Sequence, residues 1–191
     1  MIPEAPEALR VLLLVVDALE GIGLEYHVGG SYASSVHGVP RQTQDIDLVV
    51  NLPPTLVTNF VKSLSQDFFV QESAAREAVQ DRRSFNAIHL ATGLKIDFFV
   101  RGDQPFDLEE FRRHRAQPLL EGRPIIVKSP EDIVLRKLEW YRAGGEVSDR
   151  QWGDVVGILR TQGHSLDRDY MEQWATTLGV ADLLENALKE R

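Results

Sequence analysis

No cysteine occurs among the 191 residues. That excludes a disulfide framework, a thiolate zinc site and a cysteine nucleophile. Long apolar runs are also missing. The longest, Val11 to Val16, is six residues, and a bilayer span needs about 20. Nor does the start read as a signal peptide: Glu4 and Glu7 precede Arg10, and no clear small-residue cleavage site follows Asp17. A soluble cytoplasmic protein with no membrane partner is the expectation. Positive charge is scarce too, with 21 Lys+Arg against 29 Asp+Glu and a formal charge of −8. This argues against a chain that grips long nucleic acid by charge alone. It leaves room for a nucleotide, because a metal held by carboxylates can supply the positive charge.

What is present is ordinary for a globular chain: 43% hydrophobic and 26% charged residues. The length allows one compact domain, or one with a small helical appendage. Apolar spacing predicts a helix from Pro3 to Glu20 and a strand over Leu24–Val28 that runs into Gly29-Gly30-Ser31. A short helix, Tyr32 to His37, is broken by Gly38 and Pro40, and a strand follows over Asp45–Val50. Pro53-Pro54 opens a helix, and a short strand covers Phe68–Val70. A polar helix spans 74–82. Strands Phe85–Leu90 and Leu94–Val100 form a hairpin across Ala91-Thr92-Gly93. A charged helix covers Asp107–Arg115, and Pro124–Val127 is the last strand. Ser129-Pro130-Glu131-Asp132 is a helix start, with a Ser cap, Pro at the first position and acids in the first turn. Everything after it reads as helix, over about 131–143, 149–161, 167–177 and 180–190. The expected fold class is α/β (α+β): a mixed-sheet core over 1–128 and a helical region over 129–191.

Three elements carry chemistry. In the first, a strand runs into Gly29-Gly30-Ser31 and a helix begins at once. Glycines let a phosphate approach backbone N–H groups, and the helix N-terminus and the Ser31 hydroxyl add donors. A plain strand-to-helix turn has the same sequence. The second is Asp45-Ile46-Asp47. Residues two apart on a strand share a face, so the two carboxylates project together while Ile46, Leu48 and Val50 face a core. Paired carboxylates repel unless a cation sits between them, and Mg2+ (or Mn2+) suits one or two carboxylates plus substrate phosphates. A solvated strand end is the plainer reading. The third is Lys95-Ile96-Asp97, whose Asp97 needs a metal or a partner; Lys95, on the same face, can be that partner.

The order of these elements resembles the DNA polymerase β-like nucleotidyltransferase superfamily: a Gly-Gly-Ser turn, then D-x-D on the next strand, then a third carboxylate on a further strand. Gly38, Arg41, Thr43, Asp45 and Asp47 are similar to the form seen in minimal nucleotidyltransferases of the AbiEii toxin type, and Lys95-Ile96-Asp97 is similar to their second motif. The segment SPEDIVLRKLEWYRAGGEVSDRQWGDVVGIL is similar to their third, which makes Lys137 and Asp154 functional positions by that match. It departs in its Gly-Gly linker after Arg142, in Asp149-Arg150 and in a shorter C-terminal tail. On a helical wheel, Ile133, Val134, Trp140 and Tyr141 flank Lys137, so its charge calls for a carboxylate or a phosphate.

The resemblance implies a nucleotidyltransferase core that moves a nucleoside monophosphate from a nucleoside triphosphate (NTP) to an acceptor hydroxyl. It implies phosphates over Gly29, Gly30 and Ser31, with Arg41, Thr43, Lys137 and Asp154 in nucleotide binding. Asp45, Asp47 and Asp97 would hold the metal, and together with Lys137 they form the expected catalytic set. The acceptor is a tRNA 3′ end, a protein hydroxyl or a small molecule such as an antibiotic, and a cognate antitoxin or toxin is a candidate partner. A nucleotide-binding module without turnover is the rival of another class. His27, His37 and His89 have no partners at metal spacing and are expected in core or surface roles. Arg82-Arg83 and Arg112-Arg113-His114-Arg115 read as solvated faces, or as guides for RNA.

Overall fold

A computed structural model describes residues 6–41, 43, 45–120 and 123–190. Pro3–Ala5 of the expected first helix lie outside these residues. The chain forms two compact units, one of residues 1–29 and 43–127 and the other of residues 30–42 and 128–191.

Among the described residues, the first unit is a seven-stranded mixed sheet with four α-helices. Its strands are β1 (Tyr26–Val28), β2 (Asp45–Val50), β3 (Phe68–Val70), β4 (Ser84–His89), β5 (Lys95–Val100), β6 (Arg115–Leu120) and β7 (Arg123–Val127). The order across the sheet is β3-β4-β5-β2-β1-β7-β6. Pairs β2/β5 and β1/β7 are parallel, and the rest are antiparallel. The helices are α1 (Glu7–Gly21), α3 (Val57–Leu64), α4 (Glu72–Asp81) and α5 (Pro105–Arg112). A 3-10 turn, Pro54–Leu56, leads into α3.

Strict alternation decides which way each sheet residue points. In β2 and β5, Ile46, Leu48, Val50, Ile96, Phe98 and Val100 are all buried. Phe98 stacks on Phe85 of β4 at 5.3 Å, and Phe60 of α3 meets both rings edge-on at 5.1 and 5.6 Å. This apolar face commits the intervening residues, Asp45, Asp47, Lys95 and Asp97, to the other side.

The β4–β5 hairpin forms where the sequence signals it: Gly93, at φ +73°, donates its N–H to the His89 carbonyl at 2.8 Å. One element that the sequence pattern did not predict is β6. Its Pro118 argues against a strand, but β6 lies at the sheet edge, where a missing N–H costs little. The charged helix correspondingly ends at Arg112, short of the expected Arg115.

The second unit is helical. It holds α2 (Gly30–His37), α6 (Pro130–Ala143), α7 (Asp149–Gln162), α8 (Arg168–Thr177) and α9 (Ala181–Glu190). Helix α6 starts as expected, with the Ser129 hydroxyl accepting the Asp132 N–H at 3.2 Å. Asp132 is fully buried and accepts from the Ser129 and Tyr170 hydroxyls, both at 2.6 Å, which joins α6 to α8. His37 is buried and donates from Nε2 to the Lys128 carbonyl at 3.0 Å, a structural role. No helix among the described residues is long and apolar enough to cross a membrane.

Candidate functional site

The first unit supplies a face of acids. Strands β2 and β5 run parallel in register, with Asp47 opposite Asp97 and Asp45 opposite Lys95. Register partners share a face, so three carboxylates and one ammonium crowd one patch of sheet. Asp47 and Asp97 are half-buried, and Asp45 and Lys95 are exposed. Asn86 of β4, opposite Asp97, extends the row; the sequence did not single it out, because only the hairpin register places it there. On the other flank, the Gly29 N–H donates to the Asp47 carbonyl at 2.9 Å, so the glycine turn leaves the sheet beside the acid pair. The Thr43 hydroxyl donates to the Asp45 carbonyl at 3.1 Å and steadies the start of β2.

Lys95 answers part of the repulsion. Its Nζ lies 2.7 Å from Asp97 Oδ2. The hydrogen bond to Asp97 raises the Lys95 pKa above the usual lysine value. The loss of some hydration beside the strand opposes this, and the charges of Asp97, Asp45 and Asp47 add to it. All three acids thus act on one ammonium. As the side chains stand, no three acids or histidines among the described residues converge as a metal-holding group. The donor set itself, carboxylate oxygens on one face, is the kind a hard divalent cation takes.

The second unit supplies a cation cluster around a buried acid. Asp154 of α7 has a side chain only 7% exposed. Arg41 grips it with a two-point fork, Nε to Oδ1 at 2.9 Å and an Nη to Oδ2 at 3.0 Å. Lys137 of α6, 13% exposed, places its Nζ 2.8 Å from Oδ2. Burial pushes the Asp154 carboxyl up, but the bonds from Arg41 and Lys137 outweigh it and hold the group below the usual carboxylate range. An Arg41 Nη also donates to the Ser31 hydroxyl at 2.5 Å. That oxygen accepts a cationic donor, so its own O–H is left to donate to an anion. Lys137 reaches this cluster from an arc that differs from the expected one. Ile133, Val134, Leu135 and Leu138 are buried, whereas Trp140 is 57% exposed.

Gly38 lets the chain after α2 close onto α7. A Cβ there would lie 3.0 Å from both the Ile158 backbone nitrogen and its Cγ1, and 3.1 Å from the Ser34 carbonyl, so the end of α2 rests directly on α7. Gly38→Ala is expected to lower stability by about 1–3 kcal/mol through overpacking. A thermal melt reads this as a drop of several degrees, and an unchanged midpoint would show that the contact yields freely.

The structure therefore brings Asp45, Asp47 and Asp97 onto one face in one unit, and Ser31, Arg41, Lys137 and Asp154 into one network in the other. Gly29 ends the first unit and Gly30, at φ +54°, begins both α2 and the second. The basic clusters are partly engaged locally: Arg112 pairs with Glu109 at 2.6 Å, and Arg82 donates to the Arg101 carbonyl at 3.2 Å.

No protein-family profile matches the chain, and no curated protein matches it. Solved structures do. The antibiotic-resistance factor ANT(2'')-Ia, in solution, aligns over 96% of this chain and 98% of its own at 17% identity, with a TM-score of 0.58. A crystal structure of ANT(2'')-Ia in complex with adenylyl-2''-tobramycin aligns over 91% and 97% at 14% identity, with a TM-score of 0.56. An antigenic nucleotidyltransferase-like protein from Paracoccidioides brasiliensis aligns over 93% and 91% at 17% identity, with a TM-score of 0.54. At such identities the likeness establishes architecture, and the architecture this chain shares over nearly its whole length is the nucleotidyltransferase fold.

Proposed function

We propose that the protein is a metal-dependent nucleotidyltransferase that moves a nucleoside monophosphate from an NTP to an acceptor hydroxyl, releasing pyrophosphate. The observation that carries this reading is the parallel β2/β5 register. It sets Asp97 beside Asp47, with Asp45 on the same face, in a fold shared with nucleotidyltransferases. A purely structural sheet has little use for three carboxylates and one lysine on one patch.

Each side chain then has a task. Asp45, Asp47 and Asp97 would hold Mg2+ or Mn2+, and their hard oxygens fit such an ion. When bound, the metal supplies Lewis-acid charge to the phosphates. Asp97 also serves as an acceptor for the attacking hydroxyl's proton, once Lys95 gives up its bond to Oδ2. Gly29 shapes the turn, its own N–H held by the Asp47 carbonyl, and the Gly30 backbone and the Ser31 O–H bind phosphate oxygens. Thr43 holds the start of β2. Lys137 and Arg41, both anchored on Asp154, neutralise charge that builds on the leaving pyrophosphate.

The acceptor we favour is macromolecular, an RNA 3′ end such as tRNA or a protein hydroxyl. The biological role is that of a minimal toxin of the AbiEii type acting with a cognate antitoxin. The motif spacing from Gly38 to Asp47 supports this, as do Lys137 and Asp154 meeting at 2.8 Å. The test is incubation with each α-labelled NTP, Mg2+ and cell extract. We expect label in one class of macromolecule together with pyrophosphate release. Nucleotide binding with no pyrophosphate from any NTP would mark a binding module and overturn the reading.

A further inference from the structure

The helical unit contains a cavity of about 250 Å3, lined by Ser34, Val39 and Arg41 and by residues of the first turns of α7. That volume is below the roughly 300–1,000 Å3 of pockets that take a whole ligand, so it suits one ring system. Its charged lining sums to zero: Arg41 and Arg150 against Asp149 and Asp154. Arg41 and Asp154 are already joined in their fork. Arg150 is exposed and has no ion-pair partner among the described residues. Val39 is 66% exposed, an apolar surface at the cavity wall. At Gly153 an added Cβ would meet nothing within 4 Å, so the wall is open there because the residue has no side chain.

A phosphate site asks for net positive charge, and the Asp149 carboxylate works against it. The combination here is different: an apolar wall, a bare glycine surface, a guanidinium able to stack and a carboxylate able to accept from N–H. It matches a flat heteroaromatic ring with donors on its edge.

We infer that this cavity receives the nucleobase of the nucleotide, with Arg150 against the ring and Asp149 accepting from an amino or imino N–H on its edge. The inference rests on the nucleotidyl-transfer reading and specifies how that reaction selects its NTP.

The test is calorimetric binding of the four NTPs, and of inorganic tripolyphosphate, to the full chain in Mg2+. Arg150→Ala should weaken each NTP about fivefold and leave tripolyphosphate unchanged. Gly153→Leu, which fills the cavity while favouring the helix, should weaken NTPs tenfold or more and again spare tripolyphosphate. Asp149→Asn should reorder the preference among the four bases. If either cavity variant weakens tripolyphosphate as much as the NTPs, the cavity holds phosphate and the inference is wrong. If both variants bind NTPs like the parent, the base lies elsewhere, while nucleotidyl transfer stands. If the parent binds no NTP, the transfer reading itself fails.

Discussion

Asp47→Asn is expected to reduce nucleotidyl transfer by at least about a hundredfold while leaving the melting temperature equal to the parent's or a few degrees higher. The two effects have one cause. Asp47 and Asp97 are direct neighbours on parallel strands, and like charges side by side cost stability. Replacing one carboxylate with an amide of the same shape relieves that repulsion and removes an oxygen donor for the cation. The apolar face beneath, built on Ile46, Leu48, Ile96 and Phe98, is untouched, so the sheet keeps its register. Pyrophosphate release and a thermal melt on the same preparation separate the two effects. Transfer at the parental rate would remove Asp47 from the metal site. Lost transfer accompanied by a collapsed melt would mean that the acid is structural.

The second large effect concerns Asp154. Asp154→Ala should cost about 3–5 kcal/mol, because it leaves the enclosed Lys137 ammonium and the Arg41 guanidinium without their shared counter-charge. Lys137→Met should cost less, since Asp154 keeps the fork from Arg41. The loss should also depend on pH in a definite direction. Asp154 is held below its ordinary pKa, so the folded state binds its proton less readily than the unfolded chain does. Its contribution is therefore fully present above the usual carboxylate range and fades as pH falls through that range and the lowered value beneath it. Urea unfolding at pH 7 and at pH 3 reads this: the gap between parent and variant should narrow in acid. A gap of equal size at both pH values would show that the effect of the substitution is packing rather than charge.

Much of this protein was legible in its residues. Alternation in DIDLVV and KIDFFV determined which side chains share a face, because a strand's period of two is local covalent geometry. Helical spacing and caps determined most helices, down to the Ser129 cap of α6. What lay outside local reach was pairing. Nothing within β2 says that β5 is its parallel neighbour, or that Asp47 falls opposite Asp97 rather than one residue off; the burial of both apolar faces together decides that. Strand β6 was hidden because a proline is tolerated only at an edge, and being an edge is a property of the whole sheet. The Arg41–Asp154 fork joins residues 113 positions apart, and no spacing rule reaches that far. The sequence by itself determined which groups could do chemistry and which way each points on its own element. The tertiary structure alone decided which of them meet, because meeting depends on how distant segments bury their apolar surfaces against one another.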